Sequence, residues 1–253
     1  FDLLINSFFL TSAKKKINVK LLILDCDGII FNSNNLKTNA YRETLKNLNV
    51  SAKGIDDFVK LHLSDVSVSR FVKFRTFFKE VYTDLSHNDE AVEEQLVEKA
   101  LNGYSEQCLI LYSKLKPVKQ AIQLAQKIPF TYVISGGAQT ELNHVFQEHD
   151  ISKYFKEILG SPITKPEHLK YVYDQTGCGK DDTLFIGDGY TDFKTSREYD
   201  INFCFLEQMS DWKKNVEQMK GYEHNVTRCK HWDDIIQKFE FNDDIEDVDG
   251  SNL

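Results

Sequence analysis

Five short, β-rich runs punctuate this chain, at residues 19–25, 130–135, 157–160, 183–188 and 202–206, and several are apolar almost throughout. Leu21-Leu22-Ile23-Leu24 and Leu184-Phe185-Ile186 show no alternation of apolar with polar residues. A strand with one wet face alternates, whereas a strand covered on both faces need not, so these runs belong inside a parallel sheet. From Phe130 onward they alternate with helix-like stretches at 140–149, 167–176 and 191–199. That rhythm reads as βαβ units, hence an α/β fold with a Rossmann-like parallel sheet core.

The interval between the first and second runs breaks the rhythm, because more than a hundred residues stand where a crossover helix needs a few tens. Val92, Leu96, Ala100, Tyr104, Cys108, Leu111 and Leu115 recur at three- or four-residue spacing and predict one long helix. Leu36, Ala40, Tyr41, Leu45 and Leu48 predict another, and Phe71, Phe74, Phe77 and Phe78 belong to a third. The expected organisation is a core of residues 19–32 and 116–240, interrupted by an all-α cap subdomain over 33–115. Residues 1–18 form an N-terminal extension, and residues 241–253 an acidic tail, the mobile character of which is expected to begin near Phe239.

The 253 residues carry a net charge of −8, with 41% hydrophobic residues, 12 Gly and 4 Pro. This excludes collagen-like and broadly disordered classes, and a broad basic face for nucleic acid is not expected. Cys26, Cys108, Cys178, Cys204 and Cys229 are odd in number and lack a C-x-x-C pair, which fits reduced thiols in a cytoplasmic setting better than disulfides or zinc. No apolar run reaches the ~18–20 residues that cross a bilayer, and no membrane partner is expected. The apolar opening decapeptide precedes its lysines, the reverse of a secretory signal, and a start on Phe1 is compatible with a longer polypeptide.

Chemistry concentrates at the ends of the runs, where open α/β sheets place their ligands. The first closes on Asp25-Cys26-Asp27-Gly28, two carboxylates that need a compensating cation; alone, such a D-x-D equally begins a turn. The second closes on Ser135-Gly136-Gly137 ahead of a helix, a phosphate cradle or a plain serine cap. Lys165 and Pro166 follow the third, in a rigid loop. The fourth closes on Gly187-Asp188-Gly189-Tyr190-Thr191-Asp192, putting one acid at a strand end and another at a helix mouth. Several carboxylates converging there are what octahedral Mg²⁺ requires.

D-C-D-G, S-G-G, K-P and G-D-x-x-x-D, in this order and each after a strand, resemble the haloacid dehalogenase superfamily over about three quarters of the chain. Asp25, Asp27, Gly28 and Ser33 agree with its D-x-D-G-T-x-x-D-S pattern, while Ile29, Asn32 and Gly189 depart from usual residues. The resemblance implies a phosphoglycolate-phosphatase-like enzyme with a C1-type helical cap. Asp25 would be the nucleophile that becomes an aspartyl-phosphate, and Asp27 the general acid–base. Ser135 and the N–H of Gly136 would hold phosphoryl oxygens, and Lys165 would neutralise both nucleophile and phosphate. Asp188 would bind Mg²⁺ with Asp25 and a backbone carbonyl, that of Cys26 or, as is common in the family, that of Asp27; Asp192 would support the metal.

Retention of an acid at Asp27 favours phosphatases and phosphomutases over dehalogenases. Within the cap, Ser69-Arg70-x-x-Lys73-Phe74 resembles an element of phosphatases associated with surface-glycan biosynthesis, which implies fusion to, or association with, an enzyme of that kind. Arg70 and Lys73, one helical turn apart, are candidates for a second anionic group of the substrate or for a solvated face. His62 is expected on a helix surface. Gly177-Cys178-Gly179-Lys180 lacks P-loop spacing and reads as a helix-ending turn, and Trp212 and Trp232 read as packing residues. The expected function is hydrolysis of a small sugar or polyol phosphate, a phosphorylated metabolite, with Mg²⁺; the alternatives are a phosphomutase and a non-catalytic module of the same fold.

Overall fold

The computed structural model describes residues 15–16, 19–64, 68–83, 85 and 89–241. In chain order the elements are β1 (Lys15–Lys16), β2 (Leu21–Leu24), α1 (Asn34–Asn47), α2 (Ala52–Ser64) and α3 (Arg70–Thr76), which runs on into a π-helical turn at Phe77–Val81. There follow α4 (Glu90–Tyr112), α5 (Lys119–Lys127), β3 (Phe130–Ala138), α6 (Gln139–Glu148), β4 (Glu157–Ser161), α7 (Lys165–Thr176) and β5 (Thr183–Gly187). The chain continues through α8 (Tyr190–Glu198), β6 (Asn202–Leu206), α9 (Asn215–Gln218), β7 (Val226–Cys229), α10 (Trp232–Lys238) and β8 (Phe239–Glu240).

Six strands form a wholly parallel sheet in the order β4-β3-β2-β5-β6-β7. Strand β2 lies inside it, Leu21 pairing with Phe130 on one side and Thr183 on the other. Because side chains alternate along a strand, each apolar run supplies both faces. Leu22, Leu24, Val133, Leu184, Ile186 and Leu206 face the cluster built with α5, α6 and α10. Leu21, Ile23, Ile134, Phe185 and Phe203 face Leu169 and Val172 of α7 and Phe193 of α8. This double burial is the physical reason for the missing alternation, and the α/β expectation holds.

Helices α1 to α4 occupy the long interval. Their interior is aromatic: Tyr41 stacks on Tyr104 at 4.0 Å between ring centroids and Phe58 on Phe74 at 5.2 Å. Such pairs add about 0.5–1.5 kcal/mol each beyond burial. The interior is continuous with one face of the sheet through Phe31, whose ring meets Tyr112 at 5.3 Å and Phe146 at 6.0 Å edge-on.

Several expectations need correction. A sixth strand, β7, and the helices α5 and α10 lie where no element was expected. Lys165 begins α7 instead of occupying a loop, since Thr164 caps the helix with Glu167 in a reciprocal capping box. Phe239 is buried and opens β8, which pairs in parallel with β1, so the presumed tail is structured at its start. His62 is buried, not on the surface, because α2 turns it against the Tyr41 ring of α1. Gly177 ends α7 at φ +66° as expected, and both tryptophans are buried. The rest of the N-terminal extension, residues 1–14 and 17–18, and tail residues 242–253 lie outside the described residues.

Candidate active site

Three strand ends and two helix starts build the site. Asp25 is the first residue past β2, its N–H still donating to the Ile186 carbonyl of β5 at 3.1 Å. Asp188 is the first residue past β5. Asp192 lies in the opening turn of α8, accepts from the Gly189 N–H at 2.9 Å and is fully buried. Two glycines permit this crowding. A Cβ on Gly187 would come 2.5 Å from that of Asp192, and one on Gly28, at φ +74°, 2.2 Å from Asp188 Oδ2. Carboxylate oxygens of Asp25, Asp188 and Asp192 consequently lie within 4.8 Å of one another.

Lys165 enters this group from the start of α7, its Nζ 2.9 Å from Asp25 Oδ1 and 2.5 Å from Asp192 Oδ1. Burial would lower the lysine, but Asp192 and Asp25 hold it above its ordinary value. One ammonium does not balance three carboxylates. Burial, reinforced by Asp192 and opposed by Lys165, pushes Asp25 up to about 7. Burial, with Asp25 and Asp192, pushes Asp188 well up despite the amide of Asn34 donating to its Oδ2 at 2.5 Å. A surplus of buried charge carried by hard oxygen donors, with no thiolate or imidazole in the cluster, fits a hard divalent cation.

Asp27 faces elsewhere. Its Oδ1 accepts from Ser33 Oγ and Tyr112 Oη, each at 2.5 Å, and its Oδ2 accepts from Lys37 Nζ. Burial would raise this carboxyl, but Lys37, Ser33 and Tyr112 together hold it below its ordinary value. The Cys26 carbonyl accepts from the N–H groups of Ile30 and Phe31 at 2.8 and 3.0 Å. Both its lone pairs are thus used within the loop, which corrects its candidacy as a metal ligand and leaves the Asp27 carbonyl as the candidate.

Ser135 and Gly136 lie near the end of β3, beside β2, in a stretch where the pairing with β4 shifts register. Ser135 is buried and its Oγ accepts from the Gly137 N–H at 3.1 Å, while Gly136 is exposed. Such an irregularity re-aims backbone groups at a strand's end. The two cap candidates are placed differently from the expectation of an open anion site. Arg70 forms a two-pronged, buried pair with Glu141 of α6, and Lys73 Nζ lies 3.0 Å from His62 Nδ1. Sequence reasoning missed Lys37, Tyr112, Asn34 and Glu141. The one visible signal was the four-residue step from Ser33 to Lys37, which puts both on one side of α1.

A family model described as haloacid dehalogenase-like hydrolase matches residues 19–199. No curated relative matches. Among solved structures, a Haemophilus somnus protein described as a predicted phosphoglycolate phosphatase superposes with TM-score 0.66 at 16% identity, covering 87% of this chain and 97% of that one. A haloacid dehalogenase-like family hydrolase from Streptococcus pneumoniae gives 0.62 at 16% identity, with 86% and 97% covered. YfnB of Bacillus subtilis, assigned to the same hydrolases and bound to magnesium, gives 0.62 at 17%, with 86% and 97% covered. At these identities the likeness establishes a shared fold.

Proposed function

The chain belongs to the haloacid dehalogenase-like hydrolases, and from that premise we propose that it is a phosphatase hydrolysing a small phosphomonoester, of the sugar or polyol class, through a phosphorylated Asp25. The observation that carries this reading is the convergence of Asp25, Lys165, Asp188 and Asp192 at the carboxyl ends of two adjacent strands. Phosphatase descriptions among the structural relatives and a magnesium-bound member support it.

In this reading Asp25 Oδ attacks phosphorus while Lys165 offsets the charge that gathers on the nucleophile and the phosphoryl oxygens. Ser135 Oγ and the Gly136 N–H orient those oxygens from β3. Asp27 gives a proton to the departing oxygen and regains one from the water that then attacks phosphorus. Mg²⁺ held by the carboxylates of Asp25 and Asp188 and the carbonyl of Asp27, with Asp192 behind them, would supply positive charge to the same oxygens. Helices α1 to α4 act as the cap that excludes water and reads the non-phosphate part of the substrate.

The test is phosphate release from a panel of sugar, polyol and nucleotide phosphates, with and without Mg²⁺, by the parent chain and by Asp25→Asn. The expected result is metal-dependent release by the parent and none by the variant, its fold unchanged by circular dichroism. Full activity in Asp25→Asn, or equal rates without metal, would reject the mechanism.

A further inference from the structure

Asp188 is held twice, by residues that lie outside the strand-end stretches of the site. Ser210 Oγ, in the segment that follows β6, donates to the Asp188 carbonyl at 2.5 Å and itself accepts from the Trp212 N–H at 3.1 Å. That fixes the backbone but leaves the carboxylate free to turn about its side-chain bonds. Asn34, the first residue of α1, removes this freedom: its Nδ2 donates to Asp188 Oδ2 at 2.5 Å and to the Met209 carbonyl at 2.7 Å. An ionised carboxylate and a carbonyl only accept, so the two N–H groups of the amide are the atoms that face them. Room for the amide comes from Gly28, where a Cβ would stand 2.8 Å from Asn34 Nδ2. One uncharged side chain thus ties the end of β5 to the segment after β6 and sets the direction of the Asp188 carboxylate.

We propose that Asn34 is a positioning residue that holds the Asp188 carboxylate in one orientation, and so gives the carboxylate cluster its affinity for Mg²⁺ and its preference for Mg²⁺ over Ca²⁺. The inference rests on the reading of Asp25 and Asp188 as carboxylates that take a divalent cation. Mg²⁺ is small and demands near-ideal octahedral geometry, whereas Ca²⁺ accepts about 6–8 oxygens in flexible arrangements. A carboxylate that is held still suits the first ion, and one that can swing costs the second little. Partners that orient a ligand without touching the ion are worth about 10- to 100-fold in affinity. The choice of an amide fits this role. A lysine at the same place would fix the carboxylate but cancel the negative charge that attracts the cation, whereas Asn34 fixes it and leaves that charge in place.

The experiment measures the dissociation constants of Mg²⁺ and Ca²⁺ by calorimetry, with no substrate present, for the parent and for Asn34→Leu. Leucine keeps the branched shape and removes both donors, and thermal melting without cation checks that the variant is folded. Mg²⁺ binding is expected to weaken by about 10- to 100-fold and Ca²⁺ binding by less than about threefold, so that the preference for Mg²⁺ collapses. Unchanged Mg²⁺ affinity, or a loss for Ca²⁺ as large as that for Mg²⁺, overturns the inference while leaving the phosphatase reading in place. Absence of divalent-cation binding by the parent overturns the inference and the metal-dependent mechanism together. Cation binding by the parent without phosphate release from any ester overturns the phosphatase reading alone. If Asn34→Leu does not fold, Asn34→Ala decides by the same criterion.

Discussion

His62 and Lys73 face each other inside the insertion, Nδ1 to Nζ at 3.0 Å, both buried. The ammonium can only donate, so Nδ1 accepts and the ring proton sits on Nε2, directed at Thr38 Oγ1 3.3 Å away. Burial, then Lys73 and Lys37, push this imidazole down to about 4 from an ordinary 6.5. Above pH 6.5 both folded and unfolded histidine are neutral and the group contributes nothing to pH dependence. As pH falls from 6.5 towards 4, the unfolded chain gains a proton that folded His62 refuses, so stability declines. Between pH 7 and pH 5 that decline amounts to about 2 kcal/mol. His62→Gln, whose amide can still meet Lys73 and Thr38, is expected to lose about 2 kcal/mol less than the parent over this interval in urea unfolding. Identical losses in the two proteins would show that His62 titrates normally.

At the scale of elements, a buried charged joint, Arg70 with Glu141, fastens the insertion to the core in addition to the pair of Lys37 with Asp27. Arg70 at the start of α3 lies over the Tyr104 ring of α4 at 4.6 Å, and Glu141 in the first turn of α6 also accepts from Ser105 Oγ at 2.5 Å. Removing one partner of a buried pair strands the other, so Glu141→Ala is expected to cost about 3 kcal/mol of stability by chemical denaturation. Arg70→Met with Glu141→Leu should recover most of that; a single variant as stable as the parent would mean the joint is dispensable. The same joint marks how far the sequence could be read. Short β-rich runs, several of them apolar almost throughout, announced five of the six sheet strands, and the acidic residues at their ends announced the carboxylate cluster, because both signals are local. The edge strand β7, half-buried and holding Thr227 and Arg228, has no such run. Arg70 as a partner of Glu141, and Lys37 and Tyr112 as partners of Asp27, depend on how helices distant in sequence pack. Helical spacing predicts the buried faces of α1 and α4 but not which core residues they meet.

Taken as a whole, the molecule joins a helical insertion wired over short and middle distances to a sheet in which β3–β4, β5–β6 and β6–β7 pair across one crossover and β2 is paired over long distances on both sides. Contacts between α1 and α2, or α3 and α4, close short loops, whereas Leu21–Leu24 must wait for Phe130 and Thr183 to find their places on either side. Loop closure makes distant pairings slow relative to local ones. In refolding followed by pulsed hydrogen exchange, amides of α1 and α4 are expected to gain protection before those of Leu21–Leu24; simultaneous protection would contradict this order. The strand that ends at Asp25 is thus the earliest of the six sheet strands to leave the ribosome, yet it cannot be flanked on both sides until β5 has emerged. Throughout that wait a stretch of Leu-Leu-Ile-Leu keeps an unpaired edge on the nascent chain, and its burial on both faces in the finished enzyme makes it, during synthesis, a segment that a chaperone would shield.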